Sequence, residues 1–226
     1  MIKLLRDIWH FVNRLRRNKY EKLLNRTLHS NGVKVLDNFH NAMLAIDCKY
    51  WLVFGSLLGA VRDKGFISND TDIDVGVLID NDFDKMDEAL HKYGFSKVRK
   101  IEIYTTGSCQ ERGFELTYTQ NNVLIDIFVF DKIADPNVIY THTCLWDNAH
   151  FRYLSTVFRV VTSFNGVILY NFQGIQVYIP ENYREVLQSY YGSNYEIPDP
   201  NWKPTMSPSV EVVKNAIGIL DAYIEM

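Results

Sequence analysis

The chain has 226 residues, with 24 Lys and Arg against 27 Asp and Glu, 47% hydrophobic and 23% charged, enough for one domain that buries about 70% of its unfolded surface. This composition excludes wholesale disorder, collagen and coiled coil; no run of about 18 apolar residues and no hydrophobic signal core is present, so neither a membrane span nor secretion is expected. Cys48, Cys109 and Cys144 are far apart and form no CxxC pair, which argues against a disulfide framework or a thiolate zinc site and for a reducing, cytoplasmic compartment.

Residues 1–26 hold eight basic and two acidic residues, a net +6 that leaves −9 on the remainder. An acidic body behind a basic leader is unlike a nucleic-acid binder, whose basic surface belongs to the fold itself. Leu5, Ile8, Val12 and Leu15 fall at helical spacing beside Trp9 and Phe11, while Arg6, Arg14 and Arg17 lie mostly off that stripe. Such a helix can lie in a bilayer interface, so residues 1–17 are candidates for peripheral contact with the inner face of a membrane; docking on protein is the commoner use of an amphipathic face. Residues 1–30 are assigned to this leader and 31–226 to a single domain.

Val33, Leu36, Phe39, Met43 and Ile46 give a second helical pattern. Residues 51–54 read as a short buried strand stopped by Gly55-Ser56, and 57–63 as a helix that Gly65 ends. Ile73, Val75 and Val77 alternate with Asp72, Asp74 and Gly76, a half-buried strand with acids on one face. A helix is expected at 82–93 with Gly94 as its C-cap, then strands at 97–105, 113–119 and 123–130. Beyond 131 the chain reads as irregular and aromatic, with a hairpin at 166–179, a helix at 180–191 and a terminal helix at about 209–224. The fold class is α+β: a small mixed sheet flanked by helices, with helical N- and C-terminal additions.

Side chains two apart on a strand share a face, so Asp70, Asp72 and Asp74 crowd together. Like charges that close repel unless a cation lies between them, and hard oxygen ligands suit Mg²⁺ or Mn²⁺. Asp126 is the only charge in the apolar run 123–130; a buried charge must be paired or bound to metal. If the two strands are neighbours, Asp72, Asp74 and Asp126 explain one another as a metal set. Gly55-Ser56, between strand and helix, permits close backbone approach to a phosphate in front of free helical amides. Arg62 is the nearest cation able to clamp a phosphate, with Lys64 a weaker candidate. His142 and His150 show no metal-ligand spacing and are expected to be structural or exposed.

The order is strand, Gly-Ser, helix, Asp-Ile-Asp 17 positions after the glycine, then an isolated strand Asp. It resembles the nucleotidyltransferase superfamily. The wording Gly55-Ser56-Leu57-Leu58-Gly59-Ala60-Val61-Arg62-Asp63-Lys64-Gly65-Phe66-Ile67, followed by Asp70-Thr71-Asp72-Ile73-Asp74-Val75-Gly76, looks like the LicD family of phosphocholine and fukutin-type ribitol-phosphate transferases. Val123-Leu124-Ile125-Asp126-Ile127-Phe128 and Val177-Tyr178-Ile179-Pro180-Glu181-Asn182-Tyr183 fit the same resemblance, with Leu187, Tyr190-Tyr191-Gly192 and Pro198. Where family members commonly read Pro-Trp-Asp-Asp-Asp-Ile-Asp, this chain has Ser68-Asn69-Asp70-Thr71-Asp72-Ile73-Asp74; Thr71 points away from the acids, so the departure touches the pocket rather than the metal set.

The resemblance implies a nucleotidyltransferase-like fold and transfer of a phosphoalcohol from a CDP-linked donor to a sugar hydroxyl of a surface glycan, free or lipid-linked, with release of CMP. Asp72, Asp74 and Asp126 would be catalytic and metal-binding; Gly55, Ser56, Arg62, Lys64 and Asp70 would meet nucleotide and phosphate. Asp126 or a neighbouring carboxylate would take the acceptor's proton. Tyr190, Tyr191 and Trp202 are expected chiefly to pack the C-terminal helix, with an acceptor sugar as their other use. The same acids would serve a nucleotidyltransferase acting on a protein, RNA or small molecule with release of pyrophosphate; a degenerate, non-enzymatic scaffold is disfavoured because all three acids are present.

Overall fold

A 43-residue helix without a break, α1 (Ile2–Leu44), opens the computed structural model, which describes residues 2–105, 113–145, 149–150 and 152–223, and side chains from Leu15 onward except those of residues 149 and 150. The two helical patterns of the sequence are therefore one rod. Its second half buries Leu28, Val35, Leu36, Phe39 and Met43, a helical stripe turned to the core. Residues 15–23 are all exposed; of the leader's apolar stripe only Leu15 falls within the described side chains, and it is 51% exposed.

After β1 (Tyr50–Leu52), α2 (Phe54–Leu58) runs on as a single π-helical turn at Gly59–Asp63. Lys64, at φ 56°, stops the helix one residue before the expected Gly65. Gly59 is required by crowding: a Cβ there would lie 2.4 Å from the Gly65 carbonyl oxygen. β2 (Asp72–Leu78), α3 (Phe83–Lys92), β3 (Ser96–Thr105), β4 (Gly113–Gln120) and β5 (Val123–Lys132) follow as read from the sequence. Asp82 Oδ1 caps α3 by accepting the Lys85 N–H at 3.1 Å. Asn121 and Asn122, at φ 53° and 60°, make the two-residue turn between β4 and β5, a turn that demands positive φ at both positions.

The region beyond 131 is not irregular. It forms β6 (Val138–Cys144), β7 (Ala149–His150), β8 (Tyr153–Leu154) and β9 (Val157–Ser163). Buried Thr141, His142 and Thr162 interrupt the apolar alternation that would have marked these strands. The expected hairpin is β10 (Val167–Phe172) with β11 (Ile175–Pro180), and the expected helix is α4 (Tyr183–Tyr191). The terminal helix does not form: β12 (Val210–Val212) and β13 (Ala216–Ala222) take its place. Val210, Val212, Ile217 and Ile219 are β-branched and favour strand, and β13 covers the edge of β3 over seven residue pairs.

The main sheet has eleven strands among the described residues, so it is mixed and flanked by helices but not small. Its order is β1-β2-β5-β4-β3-β13-β8-β7; β2 and β5 are parallel and the other pairs antiparallel. The end of β5, at Asp131 and Lys132, pairs with β6, which leads on to β9 and β12. Ile73, Val75, Ile125 and Ile127 join the core that holds Leu36 and Phe39 of α1. By strand alternation, Asp72, Asp74 and Asp126 are turned to the opposite face.

Candidate functional site

The acids meet because β2 and β5 are parallel neighbours in one register. Asp74 lies directly across from Asp126, and Asp72 across from Leu124. Asp72, Asp74 and Asp126 each offer a carboxylate oxygen within 4.8 Å of the others, and so could hold a metal ion between them. The row continues on the same face: Asp126 pairs with Thr117 of β4, and Thr117 with Arg99 of β3. Thr117 donates to Asp126 Oδ1 at 2.5 Å, and Arg99 Nη2 reaches Oδ1 at 3.3 Å and Oδ2 at 3.2 Å. Arg99, 8% exposed, thus sets a fixed positive charge on one side of Asp126 while Asp72 and Asp74 lie on the other.

That single cation does not balance the acids. Burial, then Asp126 and Asp70, push Asp72 up to about 7. Burial, then Asp72 and Asp126, raise Asp74 well above the ordinary carboxylate range. Buried Glu115, two residues before Thr117, is pushed up to about 8 by burial and by Asp126. At 4.8 Å two full charges repel by about 3 kcal/mol at an effective dielectric constant of about 20, so the cluster must take up protons or a cation. A divalent ion with oxygen preference fits this donor set.

The Gly-Ser turn abuts the acids. Ser56 Oγ accepts the Asp74 N–H at 2.8 Å, so this hydroxyl fixes β2 to the start of α2. A Cβ on Gly55 would stand 3.2 Å from Asp70 Oδ2 and 3.5 Å from Asp74 Oδ2; glycine keeps this approach open. Phe54, just before it, is held at φ 42°, a strained conformation for a bulky residue. Its ring packs against Phe128 and Tyr190, with centroids 4.8 and 4.9 Å away. Asn25 of α1 donates to the carbonyls of Ser68 and Asp70 at 3.0 and 2.7 Å, tying down the loop that carries Asp70. Burial pushes Asp70 up to about 6, a shift that His29 opposes.

A cleft of about 1120 Å³ opens over this corner, and Gly55, Arg62, Asp70 and Asp74 all line it. Arg62 presents its fork to Asp63, Nε to Oδ1 at 2.7 Å and Nη2 to Oδ2 at 2.8 Å. Lys64 is engaged elsewhere, its Nζ donating to the Val61 carbonyl at 2.8 Å and to the Tyr170 hydroxyl at 3.2 Å. Tyr190, Tyr191 and Trp202 also line the cleft; Tyr190 packs on Phe54 and Tyr191 on Trp202, and among the described residues β13 stands where the terminal helix was expected. His142 is buried beside Tyr140, whereas the His150 side chain and Cys109 lie outside the described residues. Cys48 and Cys144 are free and buried.

Arg99, Thr117, Glu115 and Asn25 are the site-supporting residues that sequence reasoning missed. Glu115 carried the signal already used for Asp126, a lone charge in the run 113–119. Arg99 carried none, since it reads as part of a basic solvent-facing stretch with Lys97 and Lys100.

Comparison with known proteins converges on this corner. Residues 47–182, which include both acidic strands and the Gly-Ser turn, match the family model described as LicD/FKTN/FKRP, nucleotidyltransferase domain. The chain is 29% identical over 119 residues to the lipopolysaccharide cholinephosphotransferase LicD of Haemophilus influenzae, covering 48% of this chain and 45% of that protein. It is 26% identical over 167 residues to the ribitol-5-phosphate transferase FKTN of Mus musculus, covering 70% of this chain and 32% of that one. An uncharacterized protein of Rickettsia typhi is 29% identical over 107 residues, 46% of this chain and 30% of its own length. The chain thus spans less than half the length of each of these relatives.

Proposed function

The chain belongs to the LicD/FKTN/FKRP family, and on that premise we propose that it is a divalent-metal-dependent transferase moving a phosphoalcohol from a CDP-linked donor to a sugar hydroxyl, with release of CMP. The observation that carries this reading is the convergence of Asp72, Asp74 and Asp126 beside Gly55, with Asp74 and Gly55 in the wall of the cleft. Those three carboxylates would hold Mg²⁺ or Mn²⁺, which when bound neutralises charge on the pyrophosphate and orients its oxygens.

The protein's own groups supply the rest. Gly55 admits a phosphate oxygen close to the backbone. Arg62 exchanges the Asp63 carboxylate for a phosphate of the donor, a bidentate partner of the same geometry. Thr117 and Arg99 hold Asp126 in place. Asp70, on the cleft wall with its carboxyl near 6, is poised to take the acceptor hydroxyl's proton near neutral pH.

No helix among the described residues is long and apolar enough to cross a membrane. The exposed stretch 15–23 carries Arg16, Arg17, Lys19 and Lys22 beside Leu15 and Leu23, and we propose that the first half of α1 rests on an anionic membrane surface, at the inner face. Flotation with anionic vesicles tests this: loss of binding on deleting residues 1–17 is expected, and unchanged binding refutes it.

The transferase reading is tested by thermal unfolding with Mn²⁺ and CDP-choline, CDP-ethanolamine, CDP-glycerol, CDP-ribitol, CTP and ATP. A ligand at about 100 times its Kd adds about 2.7 kcal/mol, a shift of about 5–10 °C for a chain of this size. A metal-dependent shift with one CDP-alcohol is expected; preference for CTP or ATP favours nucleotidyl transfer, and silence with all six overturns the reading.

A further inference from the structure

The cleft is larger than the roughly 300–1,000 Å³ of an ordinary small-molecule site. Its wall holds Asp70, Asp74 and Arg62, the one cation among the described residues lining it. The chain after α4, beyond the 47–182 stretch that matches the family, adds Trp202 to that wall, and Tyr191, the last residue of α4, packs on it with ring centroids 4.7 Å apart and planes at 49°. This aromatic side of the cleft brings no cation from the chain after α4 and bears Asp199, so it suits an uncharged, hydroxyl-rich group rather than a second phosphate.

We propose that this aromatic side of the cleft is the seat of the acceptor's saccharide ring, stacked on Trp202 and Tyr191; the assignment rests on the transferase reading above for its role, though not for its binding chemistry. Polarised C–H groups on one face of a pyranose are attracted to the negative face of an aromatic ring. The surrounding wall is preorganised: Trp202 N–H donates to the Asp199 carbonyl at 3.2 Å, Asn201 N–H to Asp199 Oδ1 at 2.8 Å, and Ile197 N–H to the Asn194 carbonyl at 2.9 Å. Pro198, Pro200 and Pro204 stiffen the same segment, which lowers the entropy lost on binding.

Position supports the assignment. Tyr190, the neighbour of Tyr191 in α4, packs on Phe54 with centroids 4.9 Å apart, and Phe54 adjoins Gly55, whose Cβ position lies 3.2 Å from Asp70 Oδ2, so a ring resting on Tyr191 shares the wall with the carboxylate that would act on its hydroxyl. Tyr190, 2% exposed in the same wall, has a buried hydroxyl with no hydrogen-bond partner among the described residues, a polar group that a hydroxyl-bearing ligand satisfies. Residues 196–201 are all exposed, so this side opens to solvent. A glycan can enter there by its terminal ring and leave the rest of its chain outside, whereas a nucleoside would need enclosure.

The test is saturation-transfer NMR on the full chain with the methyl glycosides of glucose, galactose, N-acetylglucosamine and N-acetylgalactosamine, alongside CMP with Mn²⁺. Transfer to at least one glycoside is expected, lost by at least tenfold in Trp202→Ala, kept in Trp202→Phe, with CMP binding unchanged throughout. Three results overturn the proposal: no transfer to any glycoside, transfer that survives Trp202→Ala, or a Trp202→Ala defect in CMP binding with the glycosides unaffected, which makes the ring pair a nucleobase platform. Glycoside binding at Trp202 without cleavage of any CDP-alcohol leaves the saccharide seat standing and sinks the transferase reading instead.

Discussion

Arg99→Met is the most informative single change for the acidic corner. Arg99 is buried, its Nη2 lies 3.2 and 3.3 Å from the two oxygens of Asp126, and it faces a set of carboxylates already short of positive charge. Removing one partner of a buried ion pair costs about 3–5 kcal/mol, because the other charge is left uncompensated. For a chain of this length each kcal/mol moves Tm by about 2–4 °C, so in EDTA the variant should melt about 6–20 °C below wild type. A divalent ion held by the three acids would supply positive charge to the same oxygens, so saturating Mn²⁺ should shrink that deficit to less than half, while Arg99→Lys should fall between the two in EDTA. Differential scanning calorimetry of the three proteins with and without Mn²⁺ reads both numbers. A deficit below 2 °C in EDTA, or one of the same size with Mn²⁺ present, refutes Arg99 as the internal counter-ion and reduces it to a packing residue.

The two acids on either side of this charge balance should behave oppositely when neutralised. Asp72→Asn relieves repulsion and should raise the metal-free Tm, whereas Asp126→Asn strips Arg99 of its partner and should lower it; equal shifts of one sign would refute the asymmetry. The pH dependence follows from Asp72 and Glu115, raised from 3.8 and 4.5 to about 7 and about 8. The folded state binds more protons than the unfolded between those limits, so metal-free stability should fall as pH rises from about 5 to 8. Mn²⁺ should flatten that fall, and a metal-free Tm that climbs across the window would contradict the charge assignment. Asn25→Ala removes two hydrogen bonds to the loop carrying Asp70, about 1–2 kcal/mol by ordinary values; Tm should drop by a few degrees and amide exchange at residues 68–70 should quicken, and an unchanged exchange rate there would show the loop is held by other means.

How far the sequence reached depended on how local each signal was. Asp72-Ile73-Asp74 declares its two faces by alternation within three residues, and the turns at Asn121-Asn122 and Gln173-Gly174 fix two hairpins by their positive φ. β13 carries no such statement: it is a strand because β3, more than a hundred residues earlier, leaves an edge that Ala216–Ala222 can pair. Gly218 shows the same dependence, since a Cβ there would sit 2.6 Å from Cys144 Sγ.

Arg99 was hidden by a register shift. Between Lys97 and Arg99 the pairing of β3 with β4 slips by one residue, so Val98 and Arg99 are both buried. Strict alternation would have left Arg99 beside Lys97, on the face opposite the acids. The three acids were legible because each was anomalous in its own strand. Their counter-ion was not, because its place is set by the bulge.

In the proposed reaction Asp72, Asp74 and Asp126 support transfer of a phosphoalcohol and not of a nucleotide. The decisive measurement is ³¹P NMR of CDP-choline, CDP-ethanolamine, CDP-glycerol and CDP-ribitol with Mn²⁺, using wild type and Asp74→Asn. CMP is expected from at least one donor with wild type, and none with the variant or in EDTA. No CMP from any donor, CMP release that survives Asp74→Asn, or pyrophosphate released from CTP instead would contradict it.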